Sequence, residues 1–517
     1  MFLLINICVI LFVIYYLVTK KYSYWRNRNV SHEKPVLLLG NYGDLILQKK
    51  NFGEMARAIC QKFPGEPVVG AFFGTEPVLI PQDPEVIKTI LTKDFYYFNG
   101  REISEHVHKE LLSYNLFATY RDEWKILRQN LTPIFSTAKL KSMFTLIEKC
   151  SKSFQNLLED ETKISKELEV RTLMQRFTIE CIGSCIFGVD TDTLGNDKMN
   201  PFKAAGSQLS DFSRLVFVKG IVRAIWPTLF YALGFKTFTT ELDIFKKLVN
   251  AVFAQRKHKP TTRNDFVDLI LTWKNNNTIT GDSIGSFKNS DKTKFSIDVN
   301  DDLLLAQCLV FFAAGFETSA MTSSYTLHEL AKNQRALKKA CDEVDAYLLR
   351  HGNKINYDCV TELPYLEACI EETLRLYPVL GIITREVMED YVLLDKIHLK
   401  KGDRIHVPVF HLHHNPEHFP NPEEYRPERF YGEEKRKVKP YTYLPFGEGP
   451  RICIGMRFAK MQSIAGLITI LKKFRLELPE GAPTKIEFKP EAFVTTPKDL
   501  IKIKFLEREG WQQRVFV

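Results

Sequence analysis

"PFGEGPRICIG", Pro445–Gly455, sets one cysteine, Cys453, in a run crowded with glycine, proline and arginine. Gly447 and Gly449 remove side chains where a flat ligand would press on the backbone. Arg451 supplies a fixed cation just ahead of the thiol. The sequence that follows, "IGMRFAKMQSIAGLITILKKF", predicts a helix from about Gly455 to Phe474. Cys453 then stands at a helix N-terminus, where the dipole favours the thiolate. A thiolate so placed is a good axial ligand for haem iron. A buried structural cysteine accounts poorly for the full spacing Phe446-x-x-Gly449-x-Arg451-x-Cys453-x-Gly455.

Upstream stretches carry compatible chemistry. "AAGFETS", Ala313–Ser319, falls inside a long helix expected over Asn300–Asn333, with Asn300 as N-cap and Asp301 and Asp302 in the first turn. There Gly315 is expected to open a groove. Glu317 and Thr318 set an acid beside a hydroxyl, as a proton relay requires. A mid-helix threonine bonded to its own preceding carbonyl is the simpler alternative. Glu372-x-x-Arg375 in "EETLRLYP" brings two charges to one helix face. "HHNPEHFPNPEEYRPERF", His413–Phe430, is a Pro- and His-rich coil. Its neighbourhood holds His411, His413, His414 and His418, with no helical or hairpin geometry for zinc. Trp124-x-x-x-Arg128 spans one helical turn in "RDEWKILRQ", and Arg385 in "ITREV" sits on a strand.

Together these stretches resemble the cytochrome P-450 family over nearly the whole chain. The resemblance implies the mainly helical P-450 fold with a small β region, built as one large domain. It implies haem b with Cys453 as the axial ligand of the iron. Trp124, Arg128, Arg385 and Arg451 would hold the haem propionates, and Phe446, Gly447, Gly449 and Gly455 would shape the loop beneath. Glu372, Arg375 and Arg429 of "YRPERF" would form a buried structural lock. Glu317 and Thr318 would be the catalytic pair.

The rest of the chain bounds that reading. Its 517 residues are 45% hydrophobic and 26% charged, an ordinary globular composition. "FLLINICVILFVIYYLV", Phe2–Val18, is uncharged and would span about 25 Å as a helix. Lys20, Lys21, Arg26 and Arg28 follow, so the positive-inside rule leaves the remainder in the cytosol. A cleaved signal peptide would need a basic start and a small-residue cleavage site, and neither is present. The organisation expected is an anchor over 1–20, a linker over 21–40 and a haem-thiolate domain over 41–517. "EPVVGAFFGTEPVLI", Glu66–Ile80, reads as a β-hairpin. Period-two patterning resumes after Pro378, with Lys-Lys-Gly-Asp as a turn. Asn275–Asp302 reads as a long surface loop. Ten cysteines without a C-x-x-C pair indicate a reducing compartment. Cys181 and Cys185 are either two core thiols or a metal pair.

Lys plus Arg exceed Asp plus Glu by 71 − 62 = 9, which favours an anionic membrane or acidic partner, and no nucleic-acid motif is present. No flavin or nicotinamide motif occurs, so electrons must arrive from outside. The resemblance implies NADPH–cytochrome P-450 reductase as donor, with cytochrome b5 as a further candidate, on the cytosolic face of the endoplasmic reticulum. "KRKVK", Lys435–Lys439, with Lys125 is the candidate docking patch. "FTIECIGSCIFGVD" and "NLFATYRDEWKILRQNLTPIFSTAKLKSMF" look most like insect microsomal members of the detoxifying type. The expected activity is therefore an unspecific monooxygenase that inserts one oxygen atom of O2 into lipophilic xenobiotics. Phe117, Phe311, Phe312, Phe316 and Phe493 are candidate pocket residues, each equally able to be core. Three alternatives stand beside it: an endogenous hormone or lipid hydroxylase, a peroxide-rearranging member, and a haem-binding protein without turnover. The Glu317–Thr318 pair argues against the second of these.

Overall fold

A helix apolar on all sides must be enclosed by protein or lipid. The helix α5 of the computed structural model, Asp301–Lys332, is of this kind. It is long and apolar enough to cross a membrane, yet it packs against other helices along its length. Asn300 caps it, its side-chain oxygen accepting from the Leu303 amide at 2.8 Å. The residues described are 5–6, 12, 15–16, 18–195, 200–210, 213–238, 242–289 and 292–516. Most of the apolar stretch 2–18, with Cys8, lies outside them.

Seven further helices position the site. These are α1 (Arg121–Leu131), α2 (Thr137–Ile164), α3 (Val170–Ile182), α4 (Pro201–Ser210), α6 (Gln334–Arg350), α7 (Pro364–Leu376) and α8 (Met456–Leu471). Helices α3, α7 and α8 lie directly on α5. The expected hairpin is β1 (Val68–Phe73) and β2 (Glu76–Pro81), with Phe73 opposite Glu76 across Gly74-Thr75. The remaining strands in chain order are β3 (Glu167–Glu169), β4 (Thr278–Asp282), β5 (Lys294–Asp298), β6 (Ile383–Glu386), β7 (Tyr391–Leu393), β8 (Ile397–Leu399), β9 (Arg404–Val407), β10 (Phe474–Glu477) and β11 (Lys502–Glu507). The main sheet has the order β1-β2-β9-β6, and only its β2–β9 pair is parallel. Segment 21–40 is docked on this sheet. Trp25 is fully buried and donates to the Ala71 carbonyl at 2.8 Å. Gly70 lies so close under the indole that a Cβ there would come within 2.5 Å of it.

Several expectations change. Asn275–Asp302 is not a loop: β4 and β5 pair as an antiparallel hairpin, Ile279 opposite Ile297. Turn-rich composition hid two short runs of β-branched and aromatic residues. The hairpin grips α1: Gln129 donates to Asp282 at 2.6 Å and Asn130 to the Thr280 carbonyl at 2.9 Å. Phe311, Phe312 and Phe316 are core residues. Phe311 packs on Phe135 and Phe266, and Phe312 on Phe187, Phe245 and Phe316. Gly315 opens no groove. A Cβ there would sit 2.2 Å from Ile182, so this glycine lets α3 approach α5. Cys181 and Cys185 are buried, and burial pushes both thiols well above their ordinary range. Among the described residues no group of three histidine, cysteine or acidic side chains could hold a metal ion.

The charges of Glu372 and Arg375 meet inside the protein, both fully buried. All five Arg375 donors are used: two on the Glu372 carboxylate at 2.8 Å, the others on the carbonyls of His413, Pro422 and Glu424. Arg429 adds a 3.3 Å bond to Glu372 and donates to Pro420 and Asn421. The bond set pins the Pro- and His-rich segment to α7. His413 then accepts from the Leu444 amide at 2.8 Å, immediately before the Cys453 loop. Glu372→Ala would leave two buried cations uncompensated and should cost about 3–5 kcal/mol in denaturant unfolding. Removing the exposed partner in Glu433→Ala should change stability by less than about 0.5 kcal/mol. Equal effects from the two variants would contradict the reading of this triad as a lock.

Candidate functional site

The loop before α8 folds back on itself. The Cys453 amide donates to the Phe446 carbonyl at 2.9 Å. Gly447 and Gly449 hold φ of 75° and 74°, the left-handed region that favours glycine. Gly449 also faces the Leu91 carbonyl, 2.0 Å from where a Cβ would lie. Gly455 is the N-cap of α8. Cys453 is the one exposed cysteine among those described. Burial raises its thiol pKa, while the Gly455 and Met456 amides and the Arg128 and Arg101 charges pull it down. The last four causes are those a thiolate needs.

Around this thiol gather four arginines. Arg451 donates to the carbonyls of Phe117, at 3.2 Å, and Thr119. Its guanidinium stands 4.6 Å from the centre of the Trp124 ring. Arg128 donates to the Ile452 carbonyl at 2.9 Å. Arg385 donates to the Thr384 carbonyl at 2.8 Å. Arg101, which sequence reasoning missed, lies over the Phe117 ring at 3.8 Å. Burial first, and then Arg101, Arg385 and Arg128, push Arg451 well below its ordinary range. Burial and the Arg101 charge do the same to Arg385, and burial brings Arg101 to about 10. The Nε atoms of Arg101, Arg385 and Arg451 are buried with no partner. No ion pair links any of the four to a carboxylate among the described residues. Arg101 carries no motif signal: "NGREIS" reads as an ordinary polar turn.

Helix α5 supplies the other side. Gln462 of α8 donates to the Gly315 carbonyl at 2.9 Å and to Ser319 at 2.7 Å, which ties the cysteine helix to the middle of α5. Val310, Ala314 and Thr318 lie one turn apart on a face more exposed than its buried neighbours. Thr318 Oγ1 donates to the Ala314 carbonyl at 2.6 Å. Glu317 is directed elsewhere: its carboxylate accepts from Arg171 at 3.0 Å and from Gln175 and Ser210 at 2.7 Å. The two neighbours are thus committed to different partners.

The family model described as Cytochrome P450 matches residues 31–505. The chain belongs to the cytochrome P450 family. It is 35% identical to "Cytochrome P450 6B2" of Helicoverpa armigera over 505 residues, 97% of this chain and 98% of that protein. It is 32% identical to "Cytochrome P450 6B1" of Papilio polyxenes over 513 residues, 98% and 100% of the two chains. With "Cytochrome P450 6k1" of Blattella germanica it shares 32% identity over 500 residues, 96% and 94%. Members of the family bind haem b through a cysteine thiolate and act as monooxygenases, which require O2, a lipophilic substrate and a redox partner. The residues of this P450 fit that group. An accessible thiol faces cations rather than acids, and three unpartnered buried Nε atoms call for an anion such as a carboxylate pair.

The peripheral candidates divide. Phe117 and Phe493 remain exposed and face each other edge-on at 6.2 Å. Lys125 does not belong to a surface patch. It is buried under the β4–β5 hairpin, with its ammonium on Ser286 and, at 3.0 Å, on the Ser283 carbonyl. Within Lys435–Lys439, Lys435 pairs with Glu371, Arg436 with Glu433 and Lys437 with Glu434. Burial brings His411 and His414 to about 4 and pushes His413 well below its ordinary range, while His413 accepts from the Leu444 amide and His414 is bonded to the Phe410 carbonyl. Gly449→Ala combines a forbidden φ with a backbone clash. It should destabilise the protein by about 1–3 kcal/mol and lower haem content, whereas Gly455→Ala, with open space around its Cβ, should leave haem content near wild type. Haem absorbance per protein measures both; equal losses would contradict this account of the loop.

Proposed function

We propose that this P450 is a membrane-anchored microsomal monooxygenase of lipophilic xenobiotics, with Cys453 as the thiolate ligand of its haem. The observation that carries the site assignment is a cluster of four arginines without acidic partners, Arg385 and Arg451 buried and Arg101 and Arg128 half-buried, beside one accessible thiol. Arg101, Arg128, Arg385 and Arg451 would bind the haem carboxylates, with Trp124 packed against the Arg451 guanidinium. Bound haem supplies the O2-activating, electron-accepting centre, and the cysteine thiolate favours O–O cleavage. The Phe446 carbonyl accepts from the Cys453 amide, Gly447 and Gly449 keep the loop beneath free of side chains, and Gly455 caps the helix that follows.

The protein's own part in the reaction is positional and protonic. Thr318 Oγ1, already donating to Ala314, presents its lone pairs as acceptors for a proton-bearing water or oxygen group. Glu317 is a proton reservoir one step away, and it must leave Arg171, Gln175 or Ser210 to reach that chain. Phe117 and Phe493 present aromatic surface to an apolar substrate.

The xenobiotic reading rests on likeness to the insect relatives. The uncharged stretch 2–18 with its basic flank supports an anchor over 1–20 and placement of residues 41–517 on the cytosolic face of the endoplasmic reticulum. NADPH–cytochrome P-450 reductase is the proposed electron donor, with cytochrome b5 as a second candidate.

The test is turnover of a panel of plant toxins, insecticides and hormones by the anchored protein with reductase and NADPH. Oxygenated products of the xenobiotics, absent with Cys453→Ser, are expected. Products from the hormones alone would favour an endogenous hydroxylase, and no product from any compound would contradict the monooxygenase reading. On an accepted substrate, Thr318→Ala should lower product formed per NADPH consumed by about tenfold or more, since a positioned proton donor contributes at least that much. Unchanged coupling would remove Thr318 from the proton path.

A further inference from the structure

Arg101 is the least anchored member of the arginine group. Its guanidinium makes no hydrogen bond among the described residues, its Nε is unpartnered, and the one contact of note for that side chain is the Phe117 ring. Something other than its own side chain must therefore fix its place. Two residues on, Ile103 holds φ of 56°, an unfavourable conformation for a β-branched residue, so this turn is held against its own preference.

The holding contacts lie on either side. The Gly100 carbonyl accepts from the Glu386 amide at 3.1 Å, and the Ser104 amide donates to the Glu386 carboxylate at 2.9 Å. Between them Glu102 points away from the arginines and into the main sheet. Its carboxylate meets His406 Nε2, and the other ring nitrogen of His406, Nδ1, meets the Tyr42 hydroxyl at 2.7 Å. Tyr42 and His406 are fully buried. Burial keeps Tyr42 a phenol, so it donates to Nδ1 and His406 donates from Nε2 to Glu102. Burial raises the Glu102 carboxyl, but His406 and then Arg404 outweigh it and hold it ionised below its ordinary range. The one acid adjacent to Arg101 in sequence is thus sequestered by a rigid chain, and the Arg101 charge is left for an external anion.

We propose that Glu102, held by His406 and Tyr42, is a positioning residue that aims Arg101 at a haem carboxylate. The inference rests on the reading of the four arginines as the haem-carboxylate site. It is tested by the rate at which the haem-loaded full-length protein surrenders haem to excess apomyoglobin, in a double-mutant cycle of Arg101→Ala and Glu102→Ala. Each single variant should lose haem about tenfold faster, a size usual for outer partners that orient a ligand-binding group. The double variant should be no faster than Arg101→Ala. Glu102→Gln, which can still accept from His406, should restore a rate near wild type. Tyr42→Phe, a milder change should Glu102→Ala fold poorly, should move in the same direction by a smaller factor and lose its effect in the Arg101→Ala background.

Wild-type rates in Glu102→Ala and Tyr42→Phe beside a fast Arg101→Ala would overturn the proposal and leave the arginine site standing. An effect of Glu102→Ala that persists without Arg101 would also overturn it, as general loosening of the sheet. A wild-type rate in Arg101→Ala would remove Arg101 from the haem site, and the proposal with it.

Discussion

Four guanidinium groups share one buried region, and no carboxylate of the described residues pairs with them. Burying one such charge alone is costly, and burying several together adds mutual repulsion. The fold accepts this only because the arginines stand on elements fixed by other means. Arg385 is on β6, inside the main sheet. Arg128 is on α1, clamped by the β4–β5 hairpin through Gln129 and Asn130. Arg451 is tied to the backbone at Phe117 and Thr119. A dianionic ligand seated among them would relieve the repulsion, which makes the cofactor part of the stability of the protein as well as of its chemistry.

The Glu372–Arg375–Arg429 triad does a different task with the same residue types. There the charges are satisfied within the protein, and the surplus donors bind carbonyls of the Pro- and His-rich segment. That segment hands the restraint on through His413 to the Leu444 amide, and so to the loop that carries Cys453. One set of buried arginines is thus spent on shape and the other kept for a ligand. Helix α5 divides its labour similarly. Its glycine, Gly315, serves packing against α3, while Thr318 keeps an accessible hydroxyl one residue from an acid held by α3 and α4.

Motifs with short-range geometry were legible in the sequence. The cysteine loop, the N-cap at Asn300 and the Glu372–Arg375 pair depend on residues close in the chain, so spacing alone locates them. Features created by distant segments were not. Arg101 joins the other arginines only through the fold, and nothing in its neighbourhood marks it. The β4–β5 hairpin was hidden by a turn-rich composition, and with it the burial of Lys125. For the aromatic residues beside the helical motif the sequence left pocket and core equally open, and the helix rotates Phe311, Phe312 and Phe316 into the core. The direction of Glu317 was equally hidden, because its partners Arg171 and Ser210 lie on other helices.

The most direct measurement compares binding of haem with binding of haem whose two carboxylates are esterified, to the same haem-free protein. If the buried arginines are the carboxylate site, the ester should bind about a hundredfold more weakly or worse, because each charged hydrogen bond lost costs about 1.5–3 kcal/mol. Equal affinity for the two forms would contradict the account, since the four arginines would then have no part in holding the cofactor.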